Sequence, residues 1–95
     1  MKKAALAKAK TNDEILELFG KNLRAIREER GLSQEALAFE AGFSRSYYTE
    51  VETGKRNISL INIMKLATAL NIELNELMKV SAIEKDGKEK KIKKV

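Results

Sequence analysis

Arg45 and Ser46 stand directly behind Ser44, and Lys55, Arg56 and Asn57 close the same short segment. A serine placed ahead of a helix accepts from the free backbone N–H groups of the first turn. An arginine at such an end carries a planar fork of donors that fits paired acceptors on a phosphate or a base edge. This is the chemistry of recognition. Covalent chemistry has no comparable set of residues. The chain has no cysteine and no histidine, which removes thiol nucleophiles, the usual zinc sites and any side chain that titrates near neutrality without a shift. Carboxylates are plentiful, but none stands in a pattern with a nucleophile and base, a metal cluster or a phosphate loop. The expectation is a binding protein, not an enzyme, with no cofactor and no metal.

The elements that must position these groups are constrained by size. Ninety-five residues, 43% of them hydrophobic, suffice for one domain with a modest core. The absence of proline suits a mostly helical chain. No apolar run is long enough to cross a membrane, and "AALA" is too short for the apolar part of a signal peptide. A cytoplasmic protein is expected. Net charge is +5, but residues 1–10 hold four lysines and no acid, while residues 81–95 hold six lysines against three acids. Residues 11–80 carry nine basic and eleven acidic residues, a net −2. Basicity therefore lies in the ends, and any case for nucleic acid must rest on particular positions.

Caps mark the helices. Thr11 with Glu14 forms a potential capping box for helix 1, whose apolar face is Leu16, Phe19, Leu23 and Ile26, and Gly31 supplies a left-handed stop. Ser33, Ser44 and Ser59 repeat one arrangement. Each is a candidate N-cap, and the apolar residue before it has a partner five positions on: Leu32 with Leu37, Phe43 with Tyr48, Ile58 with Ile63. These starts predict helices over 34–41, 45–53 and 60–70, ended by Gly42, Gly54 and Asn71. A fifth helix is expected over 74–79, with Glu73 a poorer cap. Helix 4 is expected to bury Leu60, Ile63, Ala67 and Leu70. The fold class is all-α: a five-helix bundle over 11–80 between a basic tail over 1–10 and a lysine-rich tail over 81–95, the latter mobile or weakly helical.

Helices 2 and 3 are joined by residues 42–44 around a glycine, so they cross steeply. Ala38 leaves room for that crossing, and Leu37, Tyr48 and Val51 point toward helices 1 and 4. This is the pattern of a helix-turn-helix. Its second helix stands proud, with unpaired N–H groups and a positive dipole end that suit phosphate. A helix of this width also enters the DNA major groove.

Over residues 19–78 the chain resembles the Cro/repressor-type (XRE) helix-turn-helix family, through "FGKNLRAIREERGLSQEALAFEAGFSRS", "VETGKRNIS" and "IMKLATALNIELNELM". Within it, "SRSYYTEVETGKRNISLINIMKLATAL" is most similar to the controller proteins of restriction–modification systems, small dimeric regulators that time methyltransferase and endonuclease expression. The resemblance implies a lambda-repressor-like bundle. It implies base reading by Arg45, Ser46, Thr49 and Glu50, although a solvated arginine, or a Glu50 paired with a nearby arginine, would explain those residues more plainly. It implies backbone contacts from Gln34, Ser44, Tyr47, Lys55, Arg56 and Asn57. Arg27 and Glu52 match a partly buried salt bridge between helices 1 and 3. Tyr48 stands where the family usually has valine or isoleucine, and should pack with its hydroxyl at the core edge. Ile61, Met64, Leu74 and Leu77 are the implied two-fold dimer interface.

The implied function is a dimeric, sequence-specific regulator that occupies a palindromic operator on double-stranded DNA and blocks or recruits RNA polymerase. A phage or plasmid repressor and an antitoxin are alternatives within that class. A protein-interaction module that keeps the scaffold without binding DNA is the alternative outside it.

Overall fold

The computed structural model describes residues 8–83, and within them the chain is helical: α1 (Asn12–Glu29), α2 (Gln34–Ala41), α3 (Arg45–Glu52), α4 (Leu60–Leu70) and α5 (Leu74–Leu77). The four longer helices start at hydroxyl caps. Thr11 and Glu14 close a reciprocal capping box, and Ser33, Ser44 and Ser59 accept from Ala36, Tyr47 and Asn62 N–H at 3.0–3.1 Å. The ends are equally uniform. Leu32, Phe43, Lys55 and Ile72 each return a backbone N–H to the carbonyl five residues back, at Arg27, Ala38, Glu50 and Ala67. That closure requires one residue in the left-handed region, and Gly31, Gly42, Gly54 and Asn71 occupy it.

α3 packs between α1 and α2, and α4 closes the other side of α2. The core is Phe19, Leu23, Leu37, Tyr48, Val51, Leu66, Leu70 and Leu77 with smaller residues around them. Leu32, Phe43 and Ile58, the residues ahead of the three serine caps, lie partly buried against it. Two expectations need correction. Leu60 is 62% exposed, and the buried stripe of α4 is Ile63, Leu66, Ala67 and Leu70. Helical side chains lean toward the N-terminus, so a residue in the first turn of α4 points beyond the core's edge. The fifth helix is also shorter than expected. Glu73 makes no side-chain cap bond, and at the far end Asn22 of α1 donates its side-chain amide to the carbonyls of Glu76 and Leu77 at 2.9 and 3.1 Å. Those bonds satisfy the last carbonyls and end the helix there.

The expected boundaries near residues 10 and 81 fall inside a small pairing. Ala9 and Ile83 form an antiparallel bridge, Lys10 N–H donates to Ala82 O at 2.9 Å, and Lys10 Nζ reaches Ser81 O at 2.8 Å. The two ends of the bundle are thus tied to each other. The segments 1–7 and 84–95, which hold most of the tail lysines, lie outside the described residues.

Candidate nucleic-acid interface

The position of α3 is over-determined from three sides. Gly42, at φ 82°, makes the turn from α2, and the Ser44 hydroxyl accepts from Tyr47 N–H to fix the first turn. Tyr48 and Val51 on the inner face are 0% and 2% exposed. On α1, Gly20 meets the end of α3 so closely that an added Cβ would lie 2.2 Å from Glu52 O. Only a glycine permits that approach.

Arg27 and Glu52 form the second clamp. Arg27 Nε and Nη2 donate to the two carboxylate oxygens of Glu52 at 2.7 and 3.2 Å, and Nη1 donates to Leu32 O at 2.7 Å. Both side chains are buried. The Tyr48 hydroxyl donates to Glu52 Oε2, and Gln34 Nε2 donates to Oε1 at 2.7 Å. Tyr48 therefore has its hydroxyl deep inside, on the ion pair, rather than at the core edge. Burial alone would raise the Glu52 carboxyl, but the bonds from Arg27, Tyr48 and Gln34 outweigh it and hold the group below the usual carboxylate range. The bond it donates to Glu52 likewise raises Arg27 against the opposing effect of burial. Burial first, then the bond to Glu52, pushes Tyr48 far above an ordinary tyrosine. The cluster is anionic on α3, cationic on α1 and fully hydrogen-bonded, as a buried pair must be to persist.

The outer face of α3 differs in kind. Arg45 and Ser46 are exposed in its first turn, which, like that of α4, contains no acid, whereas α1 carries Asp13 and Glu14 and α2 carries Glu35 in that place. The free N–H groups and dipole of α3 are therefore left for an outside anion. Thr49 and Glu50, one turn on, are half-buried. Thr49 donates its hydroxyl to Gln34 Oε1 at 3.2 Å, and Glu50 is gripped at Oε1 by Arg56 Nε and Nη2 at 3.0 and 2.8 Å. Tyr47 stacks edge-on against Phe43, with ring centroids 5.0 Å apart, and Arg56 lies 5.2 Å above its ring. Its hydroxyl accepts from Asn62 Nδ2 at 3.0 Å and keeps its own hydrogen for a donor bond. Lys55 and Asn57 are exposed in the loop to α4.

The predicted contact residues thus gather on one surface made by the start of α2, the outer face of α3 and the loop after it. The four residues predicted for dimerisation do not form one surface. Ile61 and Met64 are exposed on α4, Leu74 is partly buried against the core, and Leu77 is 0% exposed. Leu77 is excluded from an interface because the Asn22 latch folds α5 inward and seals that side chain into the protomer. Asn62, Asn22 and Gly20 escaped the sequence reading. For Gly20 a signal existed, since a glycine inside a helix costs about 1 kcal/mol relative to alanine and implies a packing reason. For the two asparagines there was none, because their partners are 15 and 54 residues away or more in sequence.

Residues 23–77 match the helix-turn-helix family HTH_3. The chain belongs to this helix-turn-helix family. Control protein C.MunI of Mycoplasma sp is 45% identical to it over 69 residues, covering 72% of this chain and 90% of that protein. The restriction–modification controller protein C.AhdI from Aeromonas hydrophila has a similar structure, with TM-score 0.64 and 60% identity over 65% of this chain and 94% of that one. SinR, a master regulator for biofilm formation solved in complex with DNA, has TM-score 0.61 and 27% identity over 64% of this chain and 98% of that one. In this helix-turn-helix, α2 is the first helix and α3 the second.

Proposed function

We propose that the protein is a dimeric, sequence-specific DNA-binding regulator of the restriction–modification controller kind. Each protomer would place α3 in the major groove of one half of a palindromic operator. The observation that carries this reading is the first turn of α3: a serine-capped, acid-free helix end, held by a buried ion pair, with Arg45 exposed on it. Arg45 can bond guanine O6 and N7 together, and Ser46, Thr49 and Glu50 lie along the same face. Lys55, Asn57, the Tyr47 hydroxyl and the N-terminal end of α2 around Gln34 flank that face where phosphates would run, setting register rather than sequence. Arg56 joins them when phosphate displaces Glu50.

Dimerisation is assigned to Ile61 and Met64, 63% and 44% exposed on α4. A single recognition helix reads few bases, and two copies about 34–36 Å apart read a palindrome one helical turn long. Operator occupancy would block or recruit RNA polymerase in the cytoplasm. Among the described residues no helix is long and apolar enough to cross a membrane.

Selection of binding sites from a random duplex pool at physiological salt, with wild type and Arg45→Ala, tests the reading. A palindrome with half-sites one turn apart, losing a guanine preference in the variant, is expected. Affinity should fall steeply as salt rises. Enrichment of no sequence by either protein would rule the reading out, and binding to other proteins unaffected by salt would point to an interaction module on the same scaffold.

A further inference from the structure

Gln34 is the member of the buried Arg27–Glu52 cluster that reaches the outer face of the recognition helix. Its amide is held at both ends: Nε2 donates to Glu52 Oε1 at 2.7 Å, and Oε1 accepts from Thr49 Oγ1 at 3.2 Å. The direction of these bonds is not interchangeable. An ionised carboxylate is acceptor-only, so the NH2 end of Gln34 must face Glu52 and the carbonyl end must face Thr49. Turning the amide over would set its oxygen against the Glu52 carboxylate, which Arg27 keeps ionised by donating to both its oxygens. Tyr48 adds a further donor to the same carboxylate, so among the described residues every hydrogen-bond partner of the Glu52 carboxylate is a donor and none favours the turned amide.

A threonine hydroxyl has a single hydrogen. With that hydrogen engaged by Gln34, Thr49 can show the groove only lone pairs and its methyl group. Major-groove base edges divide by the same polarity. Adenine N6 and cytosine N4 are donors, whereas guanine O6 and N7 and thymine O4 are acceptors.

We propose that the chain Arg27–Glu52–Gln34 makes Thr49 an obligate acceptor, so that it selects a base with an exposed amino group, adenine or cytosine, at the position it meets in each half-site. The inference rests on the DNA-binding reading above. Gln34 and Glu52 act here as positioning residues: the specificity of a surface hydroxyl is set by a carboxylate inside the core.

Binding-site selection with wild type, Thr49→Val, Thr49→Ser and Gln34→Met, followed by equilibrium binding to the selected duplex, tests it. The position read by Thr49 is the one whose preference disappears in Thr49→Val, a change of similar shape that removes the hydroxyl. Wild type should enrich adenine or cytosine there, and Thr49→Ser, which keeps the hydroxyl, should retain that preference. Gln34→Met removes the carbonyl, frees the hydroxyl to donate, and should admit guanine and thymine at that one position while leaving the Arg45 position unchanged. Replacing the selected base by its analogue without the amino group should weaken wild-type binding roughly three- to tenfold, the value of one neutral hydrogen bond, and leave Thr49→Val unaffected. A merely structural Gln34 would instead lower affinity evenly at all positions, which thermal unfolding of each variant would accompany.

A palindrome whose base profile is the same for wild type and Thr49→Val would overturn the inference while leaving the DNA-binding reading intact. So would a wild-type preference for guanine or thymine at that position, or a Gln34→Met profile that still demands the amino group. Absence of any enriched sequence would remove both.

Discussion

Glu50 and Glu52 stand two residues apart on the same short helix, and each holds an arginine guanidinium by two nitrogens. They point roughly 200° apart around the helix axis, and that difference separates their roles. The side chains of the Glu52–Arg27 pair are 2% and 9% exposed, whereas those of the Glu50–Arg56 pair are 43% and 50% exposed. Inside, neither charge can exchange its partner for water, so loss of one strands the other. On the surface, water and salt compete with the pair, and a phosphate can take the carboxylate's place. The same two residue types therefore build a fixed strut on one side of α3, forked across both carboxylate oxygens, and an exchangeable pair on the other, held at one oxygen.

The largest effect is expected from Glu52→Leu, which leaves Arg27 buried without its counter-charge. It should destabilise the protein by about 3–5 kcal/mol, measured by urea denaturation. A loss no greater than that of Glu50→Gln would break the distinction between the two pairs. Gly20→Ala comes next. It forces a methyl against the backbone at Glu52 and should cost about 1–3 kcal/mol, with DNA binding weakened further because α3 must shift.

Acid should erode the stability that the inner pair contributes. Folding holds Glu52 below its unfolded value, so its contribution is complete above the ordinary carboxylate range and is lost as pH falls through that range toward the depressed native value. Unfolding midpoints followed downward from pH 6 should show that loss in wild type and a flatter profile in Glu52→Leu. Ile61→Asp on α4 should convert dimer to monomer by analytical ultracentrifugation with stability nearly unchanged, since the side chain is exposed in the protomer.

The smallest stability change is expected for Glu50→Gln, less than about 1 kcal/mol. Its effect on DNA should have the opposite sign. Releasing Arg56 and removing a negative charge from the groove face should tighten non-specific binding, and the slope of affinity against salt should steepen by up to about one counterion. Weaker binding by Glu50→Gln would instead make Glu50 a base reader.

Much of this architecture was legible because its determinants are local. The serine caps act within three residues, and the left-handed stops within six, so both can be read from adjacent letters. Burial was legible where the helical period is unambiguous, as at Leu23 and Leu37. It failed at the margins, where a side chain's fate depends on what lies opposite. Leu60 is exposed because the core ends beneath the first turn of α4, and Leu77 is sealed because a distant asparagine latches α5 against α1.

The sequence by itself determined the element order, the turn between α2 and α3 and the residue types offered on the second helix of the motif, because capping, backbone angle and period are short-range properties. Only the tertiary structure decided how those residues are wired. Gln34 lies 18 residues from Glu52 and 15 from Thr49. It links them only once α2 and α3 have packed, and the direction of its amide then follows from the buried carboxylate it faces. Hydrogen-bond polarity belongs to a packed neighbourhood rather than to a residue type, so it could not be read until the fold had brought those neighbours together.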